Sequence, residues 1–365
     1  MGDHPVVPDY GGACICNIVP TLLEPAGEPP AWLPAAALSP QVVLLVLDGL
    51  GWEQLQDRRH LAPTLAGLAG GPIASVAPTT TATALTSIAT GLTPGEHGVV
   101  GYRVAVQGEV LNVLRWTTER GDARRRIDPE GFQPAPAFRG HRPPIVTKAE
   151  FIKSGFSGAH LCDVRFNGYR MPSTLVTEVR RQLDRGESFV YAYYEGIDKV
   201  AHEYGLGEFY DAELRAADRL VADLLEVLPP GAALVVTADH GQVDVGDRLF
   251  GLHPEVISHL AQQSGEGRFR WLHARPGRQS ALLEAARHHH SDVAWVRSAE
   301  ETEVEGWWGP KLTDAARQRL GDVAVVANQP VSFVDPADTG PFQLIGRHGS
   351  LTSAEVWVPL LVGTN

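Results

Sequence analysis

Three stretches of this chain are apolar without alternation: residues 41–47 (Gln41-Val42-Val43-Leu44-Leu45-Val46-Leu47), 188–194 and 232–237. A strand with one wet face alternates apolar and polar residues. An unbroken apolar run marks a strand buried on both faces, which requires helices on both sides of a mostly parallel sheet. Residues 210–227 supply such a cover, with Leu214, Ala217, Leu220, Val221, Leu224 and Leu225 on one helical face before Pro229-Pro230-Gly231 stops it. A further run, 356–362, returns to the same core. The expected fold class is α/β, with a mostly parallel central sheet flanked by helices.

Around that core the pattern is weaker. Helices are expected at 52–59 and 64–69, and a third at 79–90, opened by Pro78 and closed by Gly91. Its threonines make the third an unusual helix by propensity. Residues 1–40 are proline-rich and aperiodic and read as an extended N-terminal arm. The expected organisation is a catalytic core over 41–246 and 341–365, an edge insertion at about 101–145, and a smaller cap lobe over 247–340. The triplet His288-His289-His290 reads as a solvated face.

Charge and cysteine usage exclude several classes. With a net charge of -12, no basic surface is available to neutralise a nucleic-acid backbone. Small phosphorylated substrates stay open, because bound metal ions can supply local positive charge. Three cysteines, Cys14, Cys16 and Cys162, make no disulfide framework. The longest apolar run, 42–47, is far short of the ~20 residues that span a bilayer. No signal-peptide pattern opens the chain, so a cytoplasmic location without a membrane partner is expected.

The chemistry gathers at the strand ends. Asp48-Gly49 follows the first apolar run, and Asp239-His240-Gly241 follows the third. Asp198 and His202 are four apart, sharing a face if helical. His348 lies between Arg347 and Gly349, where backbone can approach a ligand closely. Open α/β sheets build their ligand crevice at the carboxyl ends of strands. Three aspartates and three histidines suit two borderline divalent ions, most naturally Zn2+, with Mn2+ or another divalent ion as alternatives. Two ions about 4 Å apart can hold the attacking and leaving oxygens of an in-line displacement at phosphorus. Thr81 supplies a hydroxyl nucleophile.

In family order, these blocks closely resemble the alkaline phosphatase superfamily, in its nucleotide pyrophosphatase/phosphodiesterase branch. The matching blocks are Val46-Leu47-Asp48-Gly49; Pro78-Thr79-Thr80-Thr81 with Gly91-Leu92, Pro94 and His97-Gly98; Asp198 with His202; and Ala238-Asp239-His240-Gly241 with Gly346-Arg347-His348-Gly349. The resemblance implies an alkaline-phosphatase-like fold and a small-molecule phosphorylated substrate. It implies Asp198, His202 and His348 as ligands of one zinc, and Asp48, Asp239 and His240 as ligands of the other. Thr81 would lie between them as nucleophile, forming a phospho-threonine intermediate.

One departure stands out. The family pattern continues after its nucleophile as Phe-Pro-Asn-His, and that Asn helps hold a phosphate oxygen. Here the run is Ala82-Thr83-Ala84-Leu85. Thr83, Tyr102, Arg103 and Lys199 are candidates to replace the missing contact. The expected activity is that of a phosphodiesterase or nucleotide pyrophosphatase, with a phosphomonoesterase or phosphonate hydrolase on the same scaffold as the alternative.

Overall fold

The structure is a computed structural model that describes residues 4–338 and 343–365. Its centre is a seven-stranded sheet. The strands are β1 (Gln41–Leu47), β2 (Ala69–Ala74), β3 (Pro144–Lys148), β4 (Arg165–Tyr169), β5 (Phe189–Tyr194), β6 (Ala232–Thr237) and β7 (Trp357–Thr364). They lie in the order β2-β7-β6-β1-β5-β3-β4. The unbroken apolar runs occupy the middle: β5 and β6 are buried throughout, as is β1 after Gln41. β1 pairs in parallel with both, with Val42 opposite Ala233 on one side and Phe189 on the other. β7 runs antiparallel to both of its neighbours, β6 and β2. The fold is therefore α/β with a mostly parallel sheet, and the carboxyl ends of β1, β5 and β6 share one edge.

Three strands of this sheet, β2, β3 and β4, escaped the sequence pattern. β2 reads Ala69-Gly70-Gly71-Pro72-Ile73-Ala74, a composition that signals a turn. The glycine is there because the chains touch: a Cβ at Gly70 would stand 2.0 Å from the Leu360 carbonyl oxygen. β3 opens with Pro144 at the end of the stretch read as an insertion, and it pairs with β5 in the central sheet. Separate from that sheet, Arg103–Val106, Glu109–Asn112, Thr117–Thr118 and Gly121–Asp122 form four short antiparallel strands.

The segment read as an extended arm is neither extended nor peripheral. Cys14, Ile15, Ile18 and Val19 are buried in the main core, and Ile18–Leu23 is helical. Six residues carrying Pro20 give too few turns for a readable period. The Tyr10 hydroxyl donates to the Trp307 carbonyl at 2.5 Å, and the Val6 N–H donates to Leu351 O at 2.8 Å.

Residues 260–327 carry a second, antiparallel sheet of four strands: Leu260–Glu266, Phe269–Ala274, Ala294–Ser298 and Val323–Ala327. It has a small core of its own, with Val256, Leu272, Leu282, Ala286 and Val325. One face of this sheet joins the main core through Phe269, Trp271, Trp295, Ala324 and Val326, and a buried ion pair adds to the tie. Arg268 and Glu355 are fully buried and bind in bidentate fashion at 2.7 and 2.8 Å. The remaining Glu355 valences accept from Ser350 N–H and the Thr352 hydroxyl. The expected lobe boundary at 340–341 lies outside the described residues. Among the described residues, no helix is long and apolar enough to cross a membrane.

Candidate active site

Helix α1 (Thr81–Thr90) is buried at every position, threonines included. Two of their hydroxyls are absorbed locally, Thr86 donating to Ala82 O and Thr90 to Thr86 O, each at 2.7 Å, whereas the buried Thr83 hydroxyl has no partner. Such back-bonding offsets the cost of burying a hydroxyl in a helix. Gly91, at φ 71°, closes the helix in the left-handed conformation. The helix starts at Thr81, two residues after the Thr79 N–H binds Gly349 O at 3.3 Å. Its first-turn N–H groups therefore lack intrahelical acceptors, which makes this end hospitable to anions.

The sheet brings the other residues to the same place. Asp48 follows β1, and Asp239 lies two residues beyond β6. After β5, helix α2 (Gly196–Tyr204) presents Asp198 in its first turn and His202 in its last. His348 comes from the loop after Gly346–Arg347. All three histidines are held the same way: Nδ1–H donates to a backbone carbonyl, that of Gly346 from His202 at 2.7 Å, Gly241 from His240 at 3.1 Å and Thr79 from His348 at 2.8 Å. A carbonyl can only accept, so each neutral ring must carry its proton on Nδ1 and turn a bare Nε2 inward. The Thr81 hydroxyl donates to Nε2 of His240 at 3.1 Å.

The carboxylates leave matching vacant positions. Asp239 Oδ1 accepts N–H bonds from Gly49 and His240, both at 3.0 Å, and Asp48 Oδ2 accepts from the Tyr193 hydroxyl. Asp239 Oδ2 and Asp48 Oδ1 remain buried without a hydrogen-bond donor, 3.3 and 3.5 Å from His240 Nε2. Burial, reinforced by Asp239 and Asp198, pushes the Asp48 carboxyl far above the usual range, and burial also raises Asp239. Burial drives His348 well below its ordinary value. Asp198 goes the other way: burial opposes its charge, but His202, His348 and His240 outweigh it and hold its carboxyl low. Three carboxylates facing bare imidazole nitrogens are short of positive charge, which is the condition a bound cation reverses.

Donor atoms within 4.8 Å of one another fall into two groups, Asp48–Asp239–His240 and Asp198–His240–His348. His240 belongs to both. His202 lies beside the second group, with Nε2 3.2 Å from Asp198 Oδ2 and its ring centroid 5.1 Å from that of His348.

Two cavities flank Thr81. One, of about 370 Å³, is lined by Thr80, Tyr102, Arg115, Glu266, Arg347 and His348 among others. The other, of about 520 Å³, has walls of Leu85, Phe151, Phe156 and Tyr193, with Lys148 and Lys199 at its rim. Of the four candidate substrate contacts, Tyr102 and Lys199 line these cavities. Thr83 does not: it is fully buried inside α1. Arg103 is turned away, paired with the buried Asp335. Ala84 is fully buried and lines neither cavity.

Sequence reasoning passed over Glu266 and Gln242, and read Tyr193 as a packing or base-stacking aromatic. The Glu266 carboxyl is buried, with Oε1 unpartnered and its acidity suppressed by burial. It reaches the smaller cavity from the second sheet, and its one sequence signal is the glycine on either side. The Gln242 side chain donates to Asp198 Oδ1 directly after the Asp239-His240-Gly241 block. The bond from Tyr193 to Asp48 gave no signal, because a tyrosine in a buried strand looks like packing.

This fold, with Asp/His groups at the strand ends around a hydroxyl at a helix start, is that of the alkaline phosphatase superfamily. A family model for type I phosphodiesterase / nucleotide pyrophosphatase matches residues 42–351, and the chain belongs to that family. Members of that family are hydrolases of phosphoester bonds. Similar solved structures agree on the fold. Murine ectonucleotide pyrophosphatase/phosphodiesterase 5, an inactive variant in complex with AMP, is 15% identical with a TM-score of 0.67, over 88% of this chain and 87% of that one. The human protein of the same name is 16% identical, TM-score 0.67, over 89% and 88%. Phosphonoacetate hydrolase from Sinorhizobium meliloti 1021, in complex with phosphonoformate, is 18% identical, TM-score 0.64, over 89% and 90%. A search of curated protein sequences found no match.

Proposed function

We propose that this protein is a two-metal phosphodiesterase or nucleotide pyrophosphatase in which Thr81 is the nucleophile. The observation that carries the reading is the convergence of three Nε2 atoms and two donorless carboxylate oxygens beside the Thr81 hydroxyl. Neutral imidazoles and carboxylates fit zinc better than magnesium. Asp48, Asp239 and His240 would hold one ion; Asp198, His202 and His348 the other, with His240 near enough to serve either. When bound, such ions polarise the phosphoryl oxygens and lower the pKa of a coordinated hydroxyl.

The chain's own residues supply the rest. The free N–H groups at the start of α1 hold a non-bridging phosphoryl oxygen. Thr81 gives up its hydroxyl proton to solvent, and its Oγ attacks phosphorus in line with the leaving oxygen. That P–O bond breaks, the leaving group departs with its electron pair and takes up a proton, and a phospho-threonine remains. Water then attacks the same phosphorus, and the Thr81 oxygen leaves and regains a proton. Tyr102 is placed to contact a phosphoryl oxygen, since its own oxygen already accepts from Asn112 at 2.6 Å and its O–H is free to donate. The apolar walls of the larger cavity suit a bulky ester substituent, with Lys199 exposed at the mouth.

A second reading, phosphonate or monoester hydrolysis, is favoured by Lys148 and Lys199 lining one cavity, because a dianionic or carboxylated head needs extra cationic contacts. Against it, Lys148 already pairs with Glu195. The deciding assay compares bis-p-nitrophenyl phosphate, p-nitrophenyl phosphate and phosphonoacetate on zinc-loaded protein. We expect the diester to be preferred. In Thr81→Ala, turnover should fall on the order of 10³-fold or more while metal content is retained. Full activity in that variant would remove Thr81 from the mechanism.

A further inference from the structure

Apart from the site around Thr81, the described residues contain another metal-competent group, on the second sheet's side of the molecule: His253, Glu255 and His289, with one donor atom from each within 4.8 Å of the others. His253 precedes helix α3 (Pro254–His259), and Glu255 lies in its first turn. His289 is in the last turn of helix α4 (Gln279–His290). Two elements far apart in sequence thus contribute to one point.

The local geometry favours a cation there. The His253 and His289 rings stack with centroids 3.5 Å apart. Glu255 Oε2 is 2.7 Å from His289 Nε2. The C-terminus of α4 carries the negative end of its dipole and three consecutive histidines. The backbone is positioned by a residue that would not itself be a ligand: buried His290 accepts from the His253 N–H at 3.3 Å. His253 has only a long cap bond, 3.3 Å from Glu255 N–H, to surrender.

We propose that His253, Glu255 and His289 bind a divalent transition-metal ion of the zinc class, independently of the ions at the catalytic centre. Two imidazoles and one carboxylate form a three-ligand set that leaves a fourth position for water. The ion would clip the start of α3 to the end of α4. His288 is outside the ligand set, although its ring lies 4.6 Å from that of His289.

The test uses the full chain, stripped of metal and titrated with Zn2+ by calorimetry, with bound zinc counted by elemental analysis. All variants are surface substitutions, and their folding is checked by circular dichroism. The His253→Ala/His289→Ala protein should bind one zinc fewer per chain and keep wild-type turnover of bis-p-nitrophenyl phosphate. Glu255→Gln should retain the stacked rings and bind that zinc at least tenfold more weakly. His288→Ala should match wild type. Unchanged stoichiometry in the double variant would overturn the proposal. An equal loss in His288→Ala would also overturn it, by showing that the histidine tract binds metal without a defined site. Neither result depends on whether Thr81 is the nucleophile.

Discussion

Tyr193 shows how a residue outside the ligand groups can govern a metal site. Its hydroxyl occupies one Asp48 oxygen and so aims the other inward. Tyr193→Phe should weaken zinc binding about 10–100-fold, read by competition with a chromogenic chelator. Position 84 makes the opposite point. Restoring the family asparagine with Ala84→Asn should leave diester turnover per folded molecule no higher and cost about 1–3 kcal/mol in a urea melt, because a larger polar group enters a closed core. A gain in activity would mean that this side chain reaches the substrate after all. At this scale the sequence was informative where chemistry and turn signals coincided, as at Asp48-Gly49 and Asp239-His240-Gly241. It was silent where a polar group sat in a strand that reads as core, as at Tyr193. At Thr83, nearness to Thr81 in sequence did not reveal that the side chain is buried inside α1.

Among elements, those with buried faces on both sides were readable almost to the residue: the runs at 41–47 and 232–237 coincide with β1 and β6. The strands that were missed owe their place to pairing rather than pattern. β2 is rich in glycine because it lies close against β7, and β3 begins with a proline. The link between the two sheets includes, beside its apolar contacts, a buried ion pair that no periodicity reveals. Arg268→Met alone should cost about 3–5 kcal/mol, measured by denaturant midpoint, since it strands a buried carboxylate at Glu355. The double variant Arg268→Met/Glu355→Met should recover most of that loss. If the single and double variants are equally unstable, the pair contributes through packing rather than charge. Glu266 lies two residues before Arg268, so the single variant should also impair turnover.

For the molecule as a whole, buried histidines set the response to acid. Burial, assisted by Arg319, lowers His97 to about 3, and burial lowers His160 to about 4. In the unfolded chain both titrate near ~6.5. The folded state therefore binds fewer protons, so their stabilisation is complete above that value and drains away as pH falls toward the folded values. Each histidine can contribute a slope of up to about 1.4 kcal/mol per pH unit. Urea midpoints should decline from pH 7 to pH 5, less steeply in His97→Gln; a flat profile would show that these rings charge without penalty. The order of strands carries a consequence for biosynthesis. β7, the last strand of the sheet, lies between β2 and β6, both of which leave the ribosome long before it. Until residues 357–364 emerge, the nascent chain displays two unsatisfied strand edges. During this interval the open edges can pair with other chains, and completion of the sheet closes them.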